Sequence, residues 1–101
     1  MGEVQLLVNE KQEGEFFIMD GNEKIGEMVF SLSPDSLTVY HTEVVQRPET
    51  KGFGRRLLDA MVEYARKNEL KVIPLCPYVL LQFKRDPEKF ADLWGPDQNS
   101  V

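Results

Sequence analysis

The chain has little of several features that would each indicate a particular class of protein. It contains one cysteine, Cys76, in 101 residues, so no internal disulfide can form, and a reducing, cytoplasmic setting is expected. No apolar run approaches the roughly 20 residues that a membrane helix needs. The first ten residues lack the basic region and apolar stretch of a signal peptide. Repeats and linkers are also missing, so one domain is predicted over residues 1–101, with a disordered tail at 95–101.

Positive charge is scarce and unevenly distributed. The net charge of −5 disfavours a nucleic-acid binder, which would usually be basic. Residues 1–43 carry nine acidic and two basic side chains, whereas residues 44–101 carry eight acidic and ten basic ones. An anionic small ligand would therefore favour the second half, although the imbalance could also be a local accident.

The first half of the chain has the pattern of antiparallel strands. Four short apolar or alternating runs carry it, at residues 4–10, 14–20, 24–33 and 36–45. The segments DGN and SPDS lie between runs and contain the residues that favour tight turns. Four consecutive strands are predicted.

The second half changes to a helical period. Residues 52–68 predict an amphipathic helix that ends at a left-handed Asn68. The apolar run 70–76 predicts a fifth, buried strand, and short helices are predicted to begin at Pro77 and Pro87. The order ββββ-α-β-α-α predicts an α+β domain. The strands on either side of the central helix would pair in parallel through a right-handed crossover.

Two glycines, Gly52 and Gly54, lie where the central helix begins. Helix N-termini expose unpaired N–H groups, and glycine lets a phosphate approach them closely. Lys51, Arg55 and Arg56 add positive charge at the same place, which favours a phosphate or pyrophosphate ligand. A plain tight turn into the helix is the alternative. The loop is not a Walker loop, because the Lys-Ser/Thr end is missing, and no βαβ repeat of a dinucleotide-binding fold surrounds it.

A resemblance to a known family covers about residues 15–94. It rests on four segments, in the order YHTEVV, ETKGFGRRLL, EYARKN and LKVIPLCPYV. These resemble the small, single-domain branch of the GNAT N-acetyltransferases, which cradle the pyrophosphate of acetyl-CoA in a loop of the form Q/R-x-x-G-x-G/A. Gly52 and Gly54 match that loop, whereas Glu49 departs from it. A carboxylate pointing inward would repel the pyrophosphate, so Glu49 is expected to face outward.

The resemblance implies a GNAT-like fold with acetyl-CoA bound at this loop. The amides from Lys51 to Arg55 would hold the pyrophosphate, and a backbone N–H on the fourth strand would meet the thioester carbonyl. The residues implied to bind acetyl-CoA are Val44, Val45, Lys51, Gly52, Phe53, Gly54, Arg55 and Arg56.

Cys76 lies between two prolines. Pro77 restricts the preceding residue to an extended conformation and can start a helix, while Pro74 lacks an N–H and suits a strand that diverges from its neighbour. The resemblance implies that Cys76 is a nucleophile or another residue of the site. A buried structural cysteine is the alternative.

Three further side chains are candidates for proton transfer. The hydroxyl of Tyr78 could protonate the departing CoA thiolate, or its ring could be an ordinary half-buried aromatic. His41, the only histidine, and Glu43 lie at the end of the fourth strand, and either could be the general base. Either could equally be a packed or solvated strand residue. No metal site is predicted.

The resemblance therefore implies an acetyl-CoA-dependent N-acetyltransferase, and a monomer or weak dimer is expected. Only a short turn lies between the early strands, so the acceptor would meet an open, acidic surface. That surface favours a cationic amine or a lysine on a protein. The alternative is a module that binds CoA or a protein partner with little or no turnover. Neither a nucleic acid nor a membrane is an expected partner.

Overall fold

The computed structural model describes residues 2–94, and its strands and α-helices follow the predicted order as far as the helix that begins at Pro77. The strands are β1 (Gln5–Val8), β2 (Glu13–Asp20), β3 (Glu23–Leu32), β4 (Ser36–Val44) and β5 (Lys71–Pro74). A short 3-10 helix (Pro48–Thr50) precedes α1 (Phe53–Lys67), and α2 (Pro77–Arg85) follows β5. The α+β architecture is therefore as predicted.

The five strands form one sheet in the order β1-β2-β3-β4-β5. All neighbours are antiparallel except β4 and β5, which are parallel. This confirms the predicted parallel pairing across α1. Gly21 has a φ of 61° in the two-residue turn between β2 and β3, a conformation that glycine adopts without steric cost.

The core lies between the sheet and the helices. α1 contacts β2, β3 and β4, while α2 contacts β4 and β5. The buried side of α1 consists of Phe53, Leu57, Leu58, Met61, Val62 and Ala65. Truncating a fully buried leucine such as Leu57 to alanine costs about 2–5 kcal/mol of stability in proteins of this kind.

A β-bulge interrupts β4 at Tyr40. Val39 pairs with Phe30, but the next residue along β3, Val29, pairs with His41. Tyr40 is therefore an extra residue with no opposite partner. A bulge of this kind reverses the in-and-out alternation of every side chain that follows it.

This reversal determines which side chains at the end of β4 face the helices. Val39 is buried before the bulge, and regular alternation would have placed His41 and Glu43 on the same face. Instead, Thr42 contacts a residue of the β5–α2 connection and Val44 packs against the core. His41 and Glu43 lie exposed on the open face of the sheet.

The predicted left-handed stop at Asn68 is wrong by one residue. Asn68 has a φ of −100°, and the left-handed residue is Glu69, with a φ of 56°. The N–H of Leu70 donates to the carbonyl of Ala65 and that of Glu69 to Arg66, which is the Schellman arrangement. It places the left-handed residue one position after the C-cap.

The helix predicted to begin at Pro87 does not form; the segment is a series of turns. Phe90 and Leu93 are buried, and Trp94 forms an isolated parallel bridge with Val72 of β5. A segment this short has little helical stability of its own, so anchoring of its apolar side chains decides its path. The predicted disordered tail, 95–101, lies outside the described residues.

The part of the chain from residue 2 to residue 94 contains no helix long and apolar enough to cross a bilayer.

Candidate functional site

A groove of about 550 Å³ lies where β4, the loop after it, the start of α1 and the start of α2 meet. Its lining residues are Thr42, Val44, Gln46, Arg47, Pro48, Thr50, Lys51, Gly52, Gly54 and Tyr78. The groove therefore joins the glycine loop to Tyr78 in the segment that follows Cys76, two regions that are distant in the sequence.

The groove exists because β5 covers only half of β4. The parallel pairing ends where Val39 lies opposite Pro74, which has no N–H to continue the ladder. Cys76 still donates its N–H to the carbonyl of Val39 at 2.9 Å, and the chain then enters α2. Beyond Val39, the edge of β4 is not covered by β5.

The uncovered edge determines which backbone N–H near the end of β4, that of Val44 or that of Val45, can meet a thioester carbonyl. The N–H of Val45 donates to the carbonyl of Ile25 at 2.9 Å, so it is already engaged on the β3 side. Successive amides of a strand point to opposite edges. The N–H of Val44 therefore points toward the uncovered edge, beside the groove that its side chain lines.

Thr50 holds the loop that lines the groove before the glycines, and no role for it was predicted from the sequence. Its side chain is buried, and Oγ1 lies 2.6 Å from the carbonyl oxygen of Val45 and 2.9 Å from that of Arg47. Oγ1 also accepts the N–H of Arg47 at 3.1 Å. The guanidinium of Arg47 is in turn bound to Glu23 at 2.6 Å. These contacts fix the loop immediately before the glycines.

The start of α1 presents unpaired N–H groups. The first intrahelical bond runs from the N–H of Arg56 to the carbonyl of Gly52 at 3.1 Å, so the amides of Phe53, Gly54 and Arg55 have no acceptor within the helix. Gly52 has a φ of 86°, which favours glycine at this position. The first turn of α1 contains no acidic residue, so the partial positive charge of the helix terminus is not neutralised there.

The three cations predicted beside the loop have different surroundings. Lys51 is exposed and lines the groove. Arg55 bonds to Asp59 at 3.3 Å, one turn along the same helix. Arg56 donates to the carbonyl of Gly2 at 2.9 Å, so it lies against the N-terminal segment, outside the groove.

Two further residues of the loop also lie outside the groove lining. Phe53 is buried in the core, so only its backbone can face a ligand. Glu49 is exposed, in agreement with the expectation that its carboxylate faces outward.

Tyr78 forms the wall opposite the glycine loop. A Cβ added to Gly54 would lie 3.4 Å from both Cζ and Oη of Tyr78, so the missing side chain lets the ring approach α1. Burial raises the pKa of Tyr78, and the positive charge of Arg55 only partly opposes this effect. The phenol is therefore protonated at neutral pH.

Cys76 lies one layer below the groove. It is the N-cap residue of α2, with the extended backbone (φ −68°, ψ 122°) that Pro77 predicts, and only 2% of it is exposed. Its thiol does not cap the helix. Instead, Sγ lies 3.3 Å from Oγ1 of Thr42, a groove residue that the sequence analysis did not single out.

His41 and Glu43 belong to a different surface. Nε2 of His41 lies 3.1 Å from Oε2 of Glu27 on the open face of the sheet. Ligand atoms of Glu27, His41 and Glu43 all lie within 4.8 Å of one another. Lys24 pairs there with Glu15 and Glu27. The structure thus separates these two candidate bases from the groove by the thickness of β4.

The structure brings together five of the predicted site residues: Val44, Lys51, Gly52, Gly54 and Tyr78. The groove lining that the sequence analysis missed comprises Thr42, Gln46, Arg47, Pro48 and Thr50. A signal for Thr50 was present, because a threonine two residues after a proline and just before a turn favours local bonds from its hydroxyl to the backbone. No local signal identified Thr42, whose orientation depends on the bulge at Tyr40.

Comparison with known proteins places this arrangement in a family. The model of the GCN5-related N-acetyl-transferase family matches residues 15–93. No match was found among curated proteins. Among solved structures, the solution structure of a GCN5-like N-acetyltransferase candidate from Staphylococcus aureus is similar. It is 23% identical with a TM-score of 0.64, and the match covers 94% of this chain and 91% of that one.

The structural likeness confirms the predicted fold. The family match leaves out β1 and the start of β2 but covers the rest of the sheet, the glycine loop and both α-helices. The chain therefore belongs to the GCN5-related N-acetyltransferase family, enzymes of the acyl-transfer class.

Proposed function

We propose that the chain binds acetyl-CoA in the groove and transfers the acetyl group to the nitrogen of an amine. The observation that carries this proposal is the meeting of two features in one cavity: the uncovered edge of β4 and the unpaired amides at the start of α1. The first suits a thioester carbonyl and the second suits a pyrophosphate.

The anionic part of acetyl-CoA would lie on the amides of residues 52–55. Lys51 adds a formal positive charge at the rim of the groove, and none of the acidic side chains among residues 2–94 lines it. Arg55 lies close enough to Tyr78 to affect its pKa, so its charge also acts near this wall. Because the local dielectric constant is lower in a partly desolvated groove than in water, the attraction between these cations and the phosphates of the ligand would be stronger there.

The chemistry would then need three groups of the chain. The N–H of Val44 polarises the thioester carbonyl while the amine nitrogen bonds to the carbonyl carbon and the C–S bond breaks. Tyr78 gives a proton to the sulfur of the departing CoA, since its raised pKa keeps it protonated. Glu43 or His41, on the other face of β4, would take a proton from an amine that approaches from the open face.

The acceptor class follows from the charge of that open face. Glu15 and Glu27 already hold the ammonium group of Lys24 there, and Glu43 is close by. We therefore propose a cationic small amine or a lysine side chain of another protein as the acceptor.

The proposal is tested by calorimetric titration with acetyl-CoA, CoA and a nucleotide without the thiol arm. We expect binding of the first two, and Lys51→Ala should weaken both because it removes the cation at the rim. Lys84→Ala is the matched control, since Lys84 is an exposed lysine of α2 and does not line the groove. Absence of acetyl-CoA binding by the wild-type protein would refute the proposal.

A second function, binding without turnover, is favoured by one observation. Within residues 2–94, no carboxylate or imidazole lines the groove, so a general base must come from outside it. Incubation with acetyl-CoA and a panel of primary amines distinguishes the two functions. Acetylated product or released CoA above the uncatalysed rate supports the enzyme, and tight binding with neither supports the module.

A further inference from the structure

Thr42 connects the groove to the buried cysteine. It is half-buried, it lines the groove two residues before Val44, and its Oγ1 lies 3.3 Å from Sγ of Cys76. Either atom of this pair can be the donor. The direction of the bond therefore decides what the threonine hydroxyl can offer to a ligand.

The surroundings of Cys76 favour the thiol as the donor once a ligand is bound. The thiol is buried and does not cap α2, so Thr42 is its hydrogen-bond partner. If S–H donates to Oγ1, the hydroxyl proton of Thr42 is free to point into the groove. A carbonyl oxygen in the groove can then accept it, and all three groups are satisfied.

We propose that the hydroxyl of Thr42 is a second hydrogen-bond donor to the thioester carbonyl, beside the N–H of Val44, and that Cys76 is the positioning residue that orients it. This inference rests on the proposed binding of acetyl-CoA in the groove. In the addition step the carbonyl oxygen gains negative charge, and two fixed donors on one strand stabilise it. No bond forms to Sγ, and neither Thr42 nor Cys76 loses its proton.

This role explains why Cys76 can serve the reaction while it is buried. A nucleophilic thiol must reach the carbonyl carbon, but only 2% of Cys76 is exposed, and Thr42 lies between its sulfur and the groove. A thiol that only orients a neighbouring hydroxyl needs no access to the ligand.

Four substitutions test whether Cys76 orients the hydroxyl of Thr42 or acts as a nucleophile. Thr42→Val keeps the shape and removes the hydroxyl, whereas Thr42→Ser keeps it. Cys76→Ser keeps a donor toward Oγ1, whereas Cys76→Ala removes it. The first readout is the infrared band of acetyl-CoA labelled with carbon-13 at the thioester carbonyl, which requires no acceptor.

For the wild-type protein we expect the bound band at lower frequency than that of free acetyl-CoA, because hydrogen bonds weaken the C=O bond. Thr42→Ser and Cys76→Ser should keep the lowered band, and Thr42→Val should return it toward the free value. Cys76→Ala should give an intermediate or broadened band. With an accepted amine, Thr42→Val should lose about 10²-fold in kcat, while the Kd for acetyl-CoA stays within about threefold, a change of less than 1 kcal/mol.

Three results would overturn the inference. One is a Thr42→Val protein that binds acetyl-CoA with the wild-type band. Another is an acetyl group trapped on Cys76 and found by mass spectrometry. The third is loss of nearly all turnover in Cys76→Ser with normal binding, which is the outcome expected of a nucleophile. If Thr42→Val does not fold, the carbonyl bands of Cys76→Ala and Cys76→Ser are compared instead. Equal bands in these two variants would overturn the inference.

Failure of the underlying proposal looks different. If the wild-type protein does not bind acetyl-CoA, both the function and this inference fall. If it binds acetyl-CoA with a lowered band that Thr42→Val and Cys76→Ala leave unchanged, the function stands and only the role of Thr42 and Cys76 is refuted.

Discussion

At the scale of single residues, glycine and threonine shape the groove. Gly52 adopts a left-handed conformation at the N-cap of α1, and Thr50 bonds to two backbone carbonyls that face the loop. Neither residue needs to touch a ligand for these effects. Together they hold the amides at the start of α1 in a fixed position beside Lys51.

Gly54 allows the sharpest test of the groove at this scale. We predict that Gly54→Val loses most of its affinity for acetyl-CoA, because the branched side chain would displace the ring of Tyr78 and occupy the groove. Global stability should change little, since valine is the better helix former of the two. Calorimetry measures the affinity, and chemical denaturation measures the stability.

Gly54→Ala is the graded control. Its Cβ would lie 3.4 Å from the ring of Tyr78, close to ordinary contact, so a smaller loss of affinity is expected. Normal acetyl-CoA binding by Gly54→Val would show that the ligand does not pass between α1 and Tyr78.

At the scale of elements, one side chain of α1 and one of β5 form hydrogen bonds with the turns after α2. Arg66 donates to both carboxylate oxygens of Asp92, at 2.9 and 3.2 Å, and to the carbonyl of Lys89 at 2.8 Å. Lys71 donates to the carbonyl of Asp92 at 2.7 Å. These bonds hold the segment after Pro87, whose own backbone hydrogen bonds form successive turns, such as those from Leu93 and Trp94 to the carbonyl of Phe90, and no regular helix.

The ion pair between Arg66 and Asp92 predicts how the free energy of unfolding depends on pH. Hydrogen bonding to Arg66 lowers the pKa of Asp92 below its usual 3.8, so the folded state favours the charged carboxylate. The contribution is present above pH 3.8 and is lost as the pH falls through the lower, folded-state pKa. Asp92→Asn should therefore reduce the free energy of unfolding at pH 7 by about 0.2–1 kcal/mol, since both side chains are largely exposed.

Denaturant unfolding of both proteins at a series of pH values checks this. The difference between Asp92→Asn and the wild type should shrink toward zero as the pH falls through the lowered, folded-state pKa of Asp92. Asp59→Asn is the control, because its single contact with Arg55 spans 3.3 Å within one helix, and a smaller effect is expected. A difference at pH 7 that persists undiminished in acid would show that packing, and not the ion pair, accounts for the effect of Asp92.

At the scale of the whole molecule, the sheet separates two surfaces of different character. The helix side holds a groove with cations and unpaired amides, while the open side carries Glu15, Glu27 and Glu43. β4 takes part in both, because the bulge at Tyr40 turns alternate side chains to each. An anionic ligand and a cationic acceptor would thus approach the same strand from opposite faces.

Binding in the groove should stabilise the fold as a unit, since the groove is lined by β4, α1 and α2 together. Acetyl-CoA at 100 times its Kd should raise the free energy of unfolding by about 2.7 kcal/mol. For a domain of this size, each 1 kcal/mol raises Tm by about 4–8 °C. Thermal unfolding followed by circular dichroism measures the shift.

The matched control is Gly54→Val at the same acetyl-CoA concentration, for which we expect little shift. An equal shift in both proteins would place the ligand elsewhere on the molecule. A shift in neither protein, at concentrations that saturate by calorimetry, would mean that binding to the unfolded chain offsets the gain.

The sequence by itself determined the five strands, the two α-helices and their order, but not the path of the chain after α2. Alternation in the first half, the helical period of 52–68 and the proline at the start of α2 are local signals, because each depends on neighbours along the chain. The same holds for the glycine loop, where Gly52 and Gly54 match a recognisable pattern. Local signals failed where a segment was short, as at Pro87, whose path depends on the anchoring of Phe90 and Leu93.

Only the tertiary structure decided which residues meet in the groove. The bulge at Tyr40 arises from pairing between β3 and β4, and nothing in β4 alone marks the extra residue. It turns His41 away from the groove and turns Thr42 into it. Likewise, the burial of Cys76 depends on the point at which β5 diverges from β4. Register and divergence are properties of paired strands, so a single strand's sequence does not specify them.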